Sequence, residues 1–177
     1  EATQKRVRLA ARALARHNLV HAYGHVSARL DDDSFLVCAP KPMGLIDPGE
    51  EGTVVPVLGE LPAGVLGEVR CHQQIYAARN DINGICRVFP RNVMTLSTFK
   101  KTPKARLGFG SYFYPEPPLW DDPLLLRSDE QAAKFAQTLG KQMMSQAIAG
   151  MLGGARVKKH RWTLYGLRLG NPVYLLG

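Results

Sequence analysis

Apolar residues at helical spacing open the chain. Val7, Leu9, Ala10, Ala13 and Leu14 share one face with arginines opposite, which predicts an amphipathic helix over residues 3–17. A turn centred on Gly24 follows, and the alternation through Val26, Ser27, Ala28, Arg29 and Leu30 predicts a strand. The cluster Asp31-Asp32-Asp33-Ser34 is hairpin-turn chemistry that returns the chain into a second strand over 35–39. Pro40, Pro42, Gly44, Pro48 and Gly49 make the next stretch a loop, and residues 54–58 predict a third short strand. Residues 66–79 fit a helix with Val69, Ile75 and Tyr76 on one side. Asn80-Asp81 ends it, a strand follows over 82–88, and a short helix is expected over 91–98. Residues 99–127 hold prolines, glycines and aromatics and predict a long functional or interface loop. Ser128, with Asp129 and Glu130 behind it, caps a helix running through about Leu139. There are no internal repeats. Helices alternating with short strands and hairpins imply an α/β layered domain, a single one over residues 1–177, with the segment 141–177 departing from any regular pattern.

Composition changes this picture little, and charge changes it more. A chain of 177 residues buries roughly two thirds of its unfolded surface as one domain. No apolar run approaches the roughly 18 residues that cross a bilayer, and no secretory signal opens the chain, so no membrane role is expected. Three cysteines (Cys38, Cys71, Cys86) form neither a metal-spacing motif nor a disulfide framework, so a reducing, cytoplasmic setting is the expectation. Of the net charge of +8, six positive charges (Lys141, Arg156, Lys158, Lys159, Arg161, Arg168) lie after residue 140 with no acid among them. Such a tail can attract nucleic acid, but it carries no recognised nucleic-acid motif and few aromatics; a solvated or interface-forming segment is the better reading.

Several motifs in order carry a resemblance. They are Tyr23-Gly24-His25-Val26-Ser27-Ala28-Arg29, the loop Ala39-Pro40-Lys41-Pro42-Met43-Gly44, the pair Gly67-Glu68 with His72 and Tyr76, and the run from Arg79-Asn80-Asp81 to Pro90. Over roughly residues 5–98 the chain resembles the class II aldolase/adducin family. The resemblance implies a central, mostly antiparallel sheet covered by helices, and a homo-oligomer, commonly a tetramer with sites between subunits. It also implies a small-molecule substrate and a divalent metal, Zn²⁺ above all, held by three histidines. In that chemistry the metal polarises a carbonyl so that an enediolate forms while a glutamate moves protons.

The chain departs from this pattern where the metal belongs. Glu68 matches the proton-transferring glutamate. Arg87 and Phe89, at the outward positions of the strand's end, fall where the family has His-x-His, and neither offers a metal-ligating lone pair. His160 corresponds to the third histidine, although the glycine expected after it is Arg161. Most of the ligand set is therefore missing. The phosphate-gripping loops differ too: Pro42 has no N–H to offer, Leu66-Gly67 replaces a Ser-Ser pair, and His25 replaces an asparagine.

The expected site therefore has Glu68 and Arg87 as catalytic groups, with Gly24, His25, Ser27 and Lys41 binding substrate and Lys41 offering a point charge to a carboxylate. Each residue also has a plainer reading. Glu68 favours a helix dipole, Arg87 pairs with Asp81, Glu68 or a neighbouring subunit, and Phe89 fills the space of a lost metal site. His25 donates in a turn, His72 is a buried hydrogen-bonded histidine, and Cys71 and Cys86 fill core space. Tyr112, Phe113, Tyr114 and Trp120 line a pocket mouth or, preferably, a subunit contact. Two functions follow: a lyase-type enzyme performing aldol cleavage, decarboxylation or related enolate chemistry on a small non-phosphorylated carboxylate or hydroxy-carbonyl compound, or a non-catalytic, adducin-like binding or assembly protein.

Overall fold

A computed structural model describes residues 1–104, 106 and 116–139, together with the backbone of 174–176. Five strands form one antiparallel sheet: β1 (His25–Arg29), β2 (Ser34–Val37), β3 (Thr53–Pro56), β4 (Gly84–Arg87) and β5 (Tyr174–Leu176), in the order β3-β2-β1-β4-β5. The helices are α1 (Ala2–Arg16), α2 (Arg70–Ala78), α3 (Arg91–Thr98) and α4 (Asp129–Thr138). The α/β layered class and the mostly antiparallel sheet expected from the sequence are what the chain adopts.

Alternation along the strands splits the core into two layers. Val26, Leu36, Cys38, Cys86 and Val88 point to one face and pack with Val7 and Ala11 of α1 and with Met43 and Ile46. Phe35, Val37, Val55 and Ile85 point to the other and pack with Val69, Ile75 and Tyr76 of the α2 segment and with Phe135 and Leu139 from α4 and its end. Trp120 sets its ring edge-on against Phe135 at 5.8 Å and joins this second layer, so it serves the core where a pocket mouth or subunit contact was expected.

Three polar side chains on successive turns of α1 hold the loop that follows β2. Gln4 bonds Gly52 in both directions, Arg8 donates to the Glu50 carbonyl and Arg12 to the Ile46 carbonyl. Spacing of four residues aligns these groups on one stripe. Arg8 and Arg12, opposite the apolar face, therefore belong to the surface that docks the loop.

The boundaries of α3 match the sequence reading, and the others differ from it by at most four residues. Helix α1 starts one residue early, and the stretch read as a helix from residue 66 begins with a 3-10 turn, Gly67–Val69. The strand expected over 82–88 narrows to Gly84–Arg87 because only these residues pair with β1. Ser128 caps α4 as predicted, its hydroxyl accepting from the Gln131 N–H at 3.2 Å. The residues Tyr112, Phe113, Tyr114 and His160, and most of the segment after 140, lie outside the described residues. Among the described residues no helix is long and apolar enough to cross a membrane.

Candidate active site

The sheet face covered by α2 is polar along one seam. Period-two alternation puts His25, Ser27 and Arg29 of β1 on that face, and α2 presents His72 and Tyr76 one helical turn apart. The two stripes meet. His25 Nδ1 and His72 Nε2 are 2.8 Å apart, Ser27 Oγ lies 2.6 Å from His72 Nδ1, and Ser27 Oγ lies 2.9 Å from the Tyr76 hydroxyl. His25, Ser27, His72 and Tyr76 are all at least 98% buried. Arg29 closes the row, donating to the Tyr76 and Arg79 carbonyls at 2.7 and 3.1 Å, with its guanidinium 4.6 Å from the Tyr76 ring centroid. A cation on these last carbonyls of α2 suits the negative end of the helix.

Arg87 is the cross-strand partner of His25. The sequence reading gave it an outward position; it is instead buried at 4% exposure, because its strand face is the one α2 covers. Its guanidinium stacks 4.7 Å from the Phe89 ring centroid. Burial lowers the pKa of Arg87, while Cys71 and the carboxylate of Glu68 work in the opposite direction. Of its expected partners, Asp81 is engaged by Arg79 at 2.7 Å. Glu68 stands in the 3-10 turn that opens α2, its side chain only 13% exposed, accepting from Arg127 Nε at 3.2 Å. Glu68, Arg87 and His25 thus share one end of the sheet face.

Two other expected contacts are used differently. The hydroxyl of Ser27 is taken up by His72 and Tyr76. Lys41 is held by Glu50 at 2.7 Å and Asp47 at 3.7 Å on the loop beyond Pro40. Gly24 precedes His25 with φ at +128°, and a Cβ there would lie 2.6 Å from Val20 Cγ2 and 2.7 Å from the Arg87 carbonyl oxygen. It therefore serves by letting two chain segments approach. Gly24→Ala is expected to cost about 3 kcal/mol or more, read as a lower urea midpoint; a loss under about 1 kcal/mol would show that the turn relaxes freely.

A narrow cleft opens beside this seam, lined by His25, Val37, Ala39, Pro40, Thr53 and Val69 among others. His25 Nε2 is buried and has no hydrogen-bond partner among the described residues. Burial first, then His72 and Arg87, hold the His25 imidazole well below its ordinary 6.5. Burial and then Arg87 push His72 down to about 3. Both rings are therefore neutral at pH 7. Burial also pushes the Cys38 thiol up to about 11 and those of Cys71 and Cys86 to about 12, which leaves them inert as nucleophiles.

No group of three His, Cys, Asp or Glu among the described residues is arranged to hold a metal ion. At the strand end the donor set is a guanidinium over a phenyl ring, and the described residues do not fit a divalent cation. The hydrogen-bonded row from His25 to Tyr76 escaped the sequence reading, which took His72 alone. The signal was present: polar residues at 25, 27 and 29 match, in spacing, polar residues at 72 and 76 on the following helix.

The family model for the class II aldolase and adducin N-terminal domain matches residues 5–153, and the chain belongs to that family. Solved structures share its fold. L-fuculose-1-phosphate aldolase from Thermus thermophilus is 19% identical with a TM-score of 0.69, over 97% of this chain and 76% of that one. An aldolase II superfamily protein from Pseudomonas syringae is 19% identical with a TM-score of 0.68, over 99% and 68%. YgbL from Escherichia coli, a putative aldolase/epimerase/decarboxylase, is 14% identical with a TM-score of 0.67, over 96% and 76%. No curated protein sequence matches the chain.

Proposed function

We propose that the protein is a lyase-type enzyme that cleaves or decarboxylates a small, non-phosphorylated carboxylate or hydroxy-carbonyl compound without the family's metal. The observation that carries this reading is Arg87. A buried guanidinium, stacked on Phe89 and within the field of Glu68, occupies the strand end beside His25. A fixed cation in a water-poor site stabilises a developing enolate oxygen, because the positive charge is already in place when the negative charge forms. Glu68 is the proton-transfer group: it is nearly buried, it opens α2, and its ion-pair partner Arg127 approaches from the exposed side. In aldol cleavage Glu68 would take the substrate's hydroxyl proton as the carbon–carbon bond breaks; in decarboxylation CO₂ would leave and protonated Glu68 would return a proton to the enolate carbon. In both, the bonding pair passes into an enolate whose oxygen faces Arg87 and His25. A phosphate fits poorly, since the cleft walls contributed by Val37, Ala39, Pro40 and Val69 offer little hydrogen bonding, and Pro40 has no N–H. The same reading includes a homo-oligomer, in keeping with the family likeness.

The test is elemental analysis of the purified protein combined with thermal unfolding in the presence of pyruvate, glycolate and glycolaldehyde phosphate. Metal well below one equivalent is expected, with a rise in Tm from one of the first two compounds and none from the phosphate ester. Stoichiometric Zn, Mn or Fe would overturn the metal-independent mechanism. A Tm that no small carboxylate moves would favour the non-catalytic, assembly-type role.

A further inference from the structure

The buried row from Tyr76 to His25 has a direction that hydrogen counting reveals. Four polar groups stand in line: the Tyr76 hydroxyl, the Ser27 hydroxyl, and the His72 and His25 rings. Two of them carry hydroxyl hydrogens, and each such hydrogen needs an acceptor in a region closed to water. If His25 Nδ1 donates to His72 Nε2, then His72 Nδ1 must donate to Ser27 Oγ. One hydroxyl hydrogen, on Ser27 or Tyr76, is then left in the core with no acceptor among the described residues. If the row runs the other way, both hydroxyl hydrogens are used, and the one hydrogen left over is the Nε2–H of His25, on the ring that lines the cleft. Tyr76 donates to Ser27, Ser27 donates to His72 Nδ1, and His72 Nε2–H donates to the bare Nδ1 of His25.

We infer that Tyr76, Ser27 and His72 fix His25 as a neutral imidazole protonated on Nε2, so that it presents an N–H donor to an oxygen atom in the cleft. The row ends inside the protein at Tyr76, which is fully buried, so it sets a tautomer and does not conduct protons to solvent. With Nδ1 engaged, Nε2 is the ring nitrogen left over: it is buried, it has no partner among the described residues, and it belongs to a side chain that lines the cleft. Its cross-strand neighbour is the cation Arg87, so the atom that suits this N–H is an acceptor with lone pairs: a carboxylate, carbonyl or enolate oxygen. A neutral imidazole donating to such an oxygen polarises it without requiring a second buried charge. Ser27, His72 and Tyr76 are positioning residues in this arrangement. The use of the N–H on a substrate oxygen rests on the function proposed above; the tautomer does not.

The experiment is a two-bond ¹H–¹⁵N correlation spectrum of the full chain labelled with ¹⁵N-histidine, at pH 7. His25 and His72 are each expected to show the neutral pattern with the proton on Nε2. Ser27→Ala removes the donor that keeps His72 Nδ1 bare, so a second His25 population protonated on Nδ1 is expected. Tyr76→Phe is expected to keep the parent pattern, because the Ser27 hydrogen still needs His72. A proton on His25 Nδ1 in the unaltered chain overturns the inference, as does an unchanged spectrum in folded Ser27→Ala. Should that variant not fold, the unaltered chain decides alone. Added pyruvate is expected to move the His25 Nε2 signal; an Nε2–H pattern that pyruvate leaves untouched supports the tautomer and counts against the carboxylate substrate.

Discussion

Acid should unfold this protein through its two buried imidazoles. In the unfolded chain a histidine takes up a proton near 6.5, whereas His72 in the fold resists until about 3 and His25 is displaced in the same direction. The unfolded chain therefore binds protons that the folded chain refuses, and stability falls as pH drops from 6.5 toward 3, levelling only below that. At pH 4 the loss from His72 alone is about 3 kcal/mol, and His25 adds a second loss of the same sign. Against a total of about 5–15 kcal/mol for an ordinary domain, that is enough to bring the transition within reach of mild acid. Among the described residues no carboxylate contacts either ring to relieve the cost; the charged group whose field acts on both is the guanidinium of Arg87. Urea titrations at pH 7, 6, 5 and 4 check this, with the slope approaching uptake of two protons on unfolding. Stability that stays flat from 6.5 to 4.5 would mean that the imidazoles are charged in the fold, and the neutral row would have to be abandoned.

The second large effect concerns turnover. Once a cleavage or decarboxylation is detected, Glu68→Gln should lower kcat by about 10²–10⁴-fold, the range of a lost acid–base group. The substitution is informative because little else changes. Gln keeps the volume and an oxygen that accepts from Arg127, and the ion pair with Arg127 is a surface pair whose loss costs under about 1 kcal/mol. Arg87 stays buried and loses only the nearby negative field. A rate that stays within a few-fold, measured in a variant with unchanged urea midpoint, would remove Glu68 from the chemistry and leave Arg87 and His25 to account for it.

Much of this arrangement was legible in the sequence where one local rule decides. Ser128 with two following acids caps α4, Pro90 stands at the N-terminus of α3, and the Asp31–Ser34 cluster turns β1 into β2, each because a short stretch fixes its own backbone. Glu68 was legible for the same reason, as the first-turn acid of a periodic apolar segment. The seam was harder. A polar residue at a strand's end ordinarily faces water, so Arg87 on β4 has the pattern of an outward position, and nothing in β1 alone joins His25 and Ser27 to it. They are buried because α2 supplies a matching polar stripe, a fact that belongs to two elements about 45 residues apart and to neither one alone. Lys41 is a similar case, its charge being answered by Glu50 on the far side of the same loop, a pairing that no local pattern in the sequence announces. The pairing of β5 with β4 joins residues about 90 apart in the chain, and no local pattern announces such a strand.

The stripe Gln4, Arg8 and Arg12 carries a last implication. By anchoring the carbonyls of residues 46, 50 and 52, α1 fixes the run between β2 and β3, and with it the two ends of that run that wall the cleft, Ala39-Pro40 and Thr53. Ordering of this rim is thereby assigned to folding and not to ligand capture, so affinity would depend on fit and desolvation, with little conformational entropy left to lose. Selectivity would then belong to the first helix as much as to the cleft it never touches.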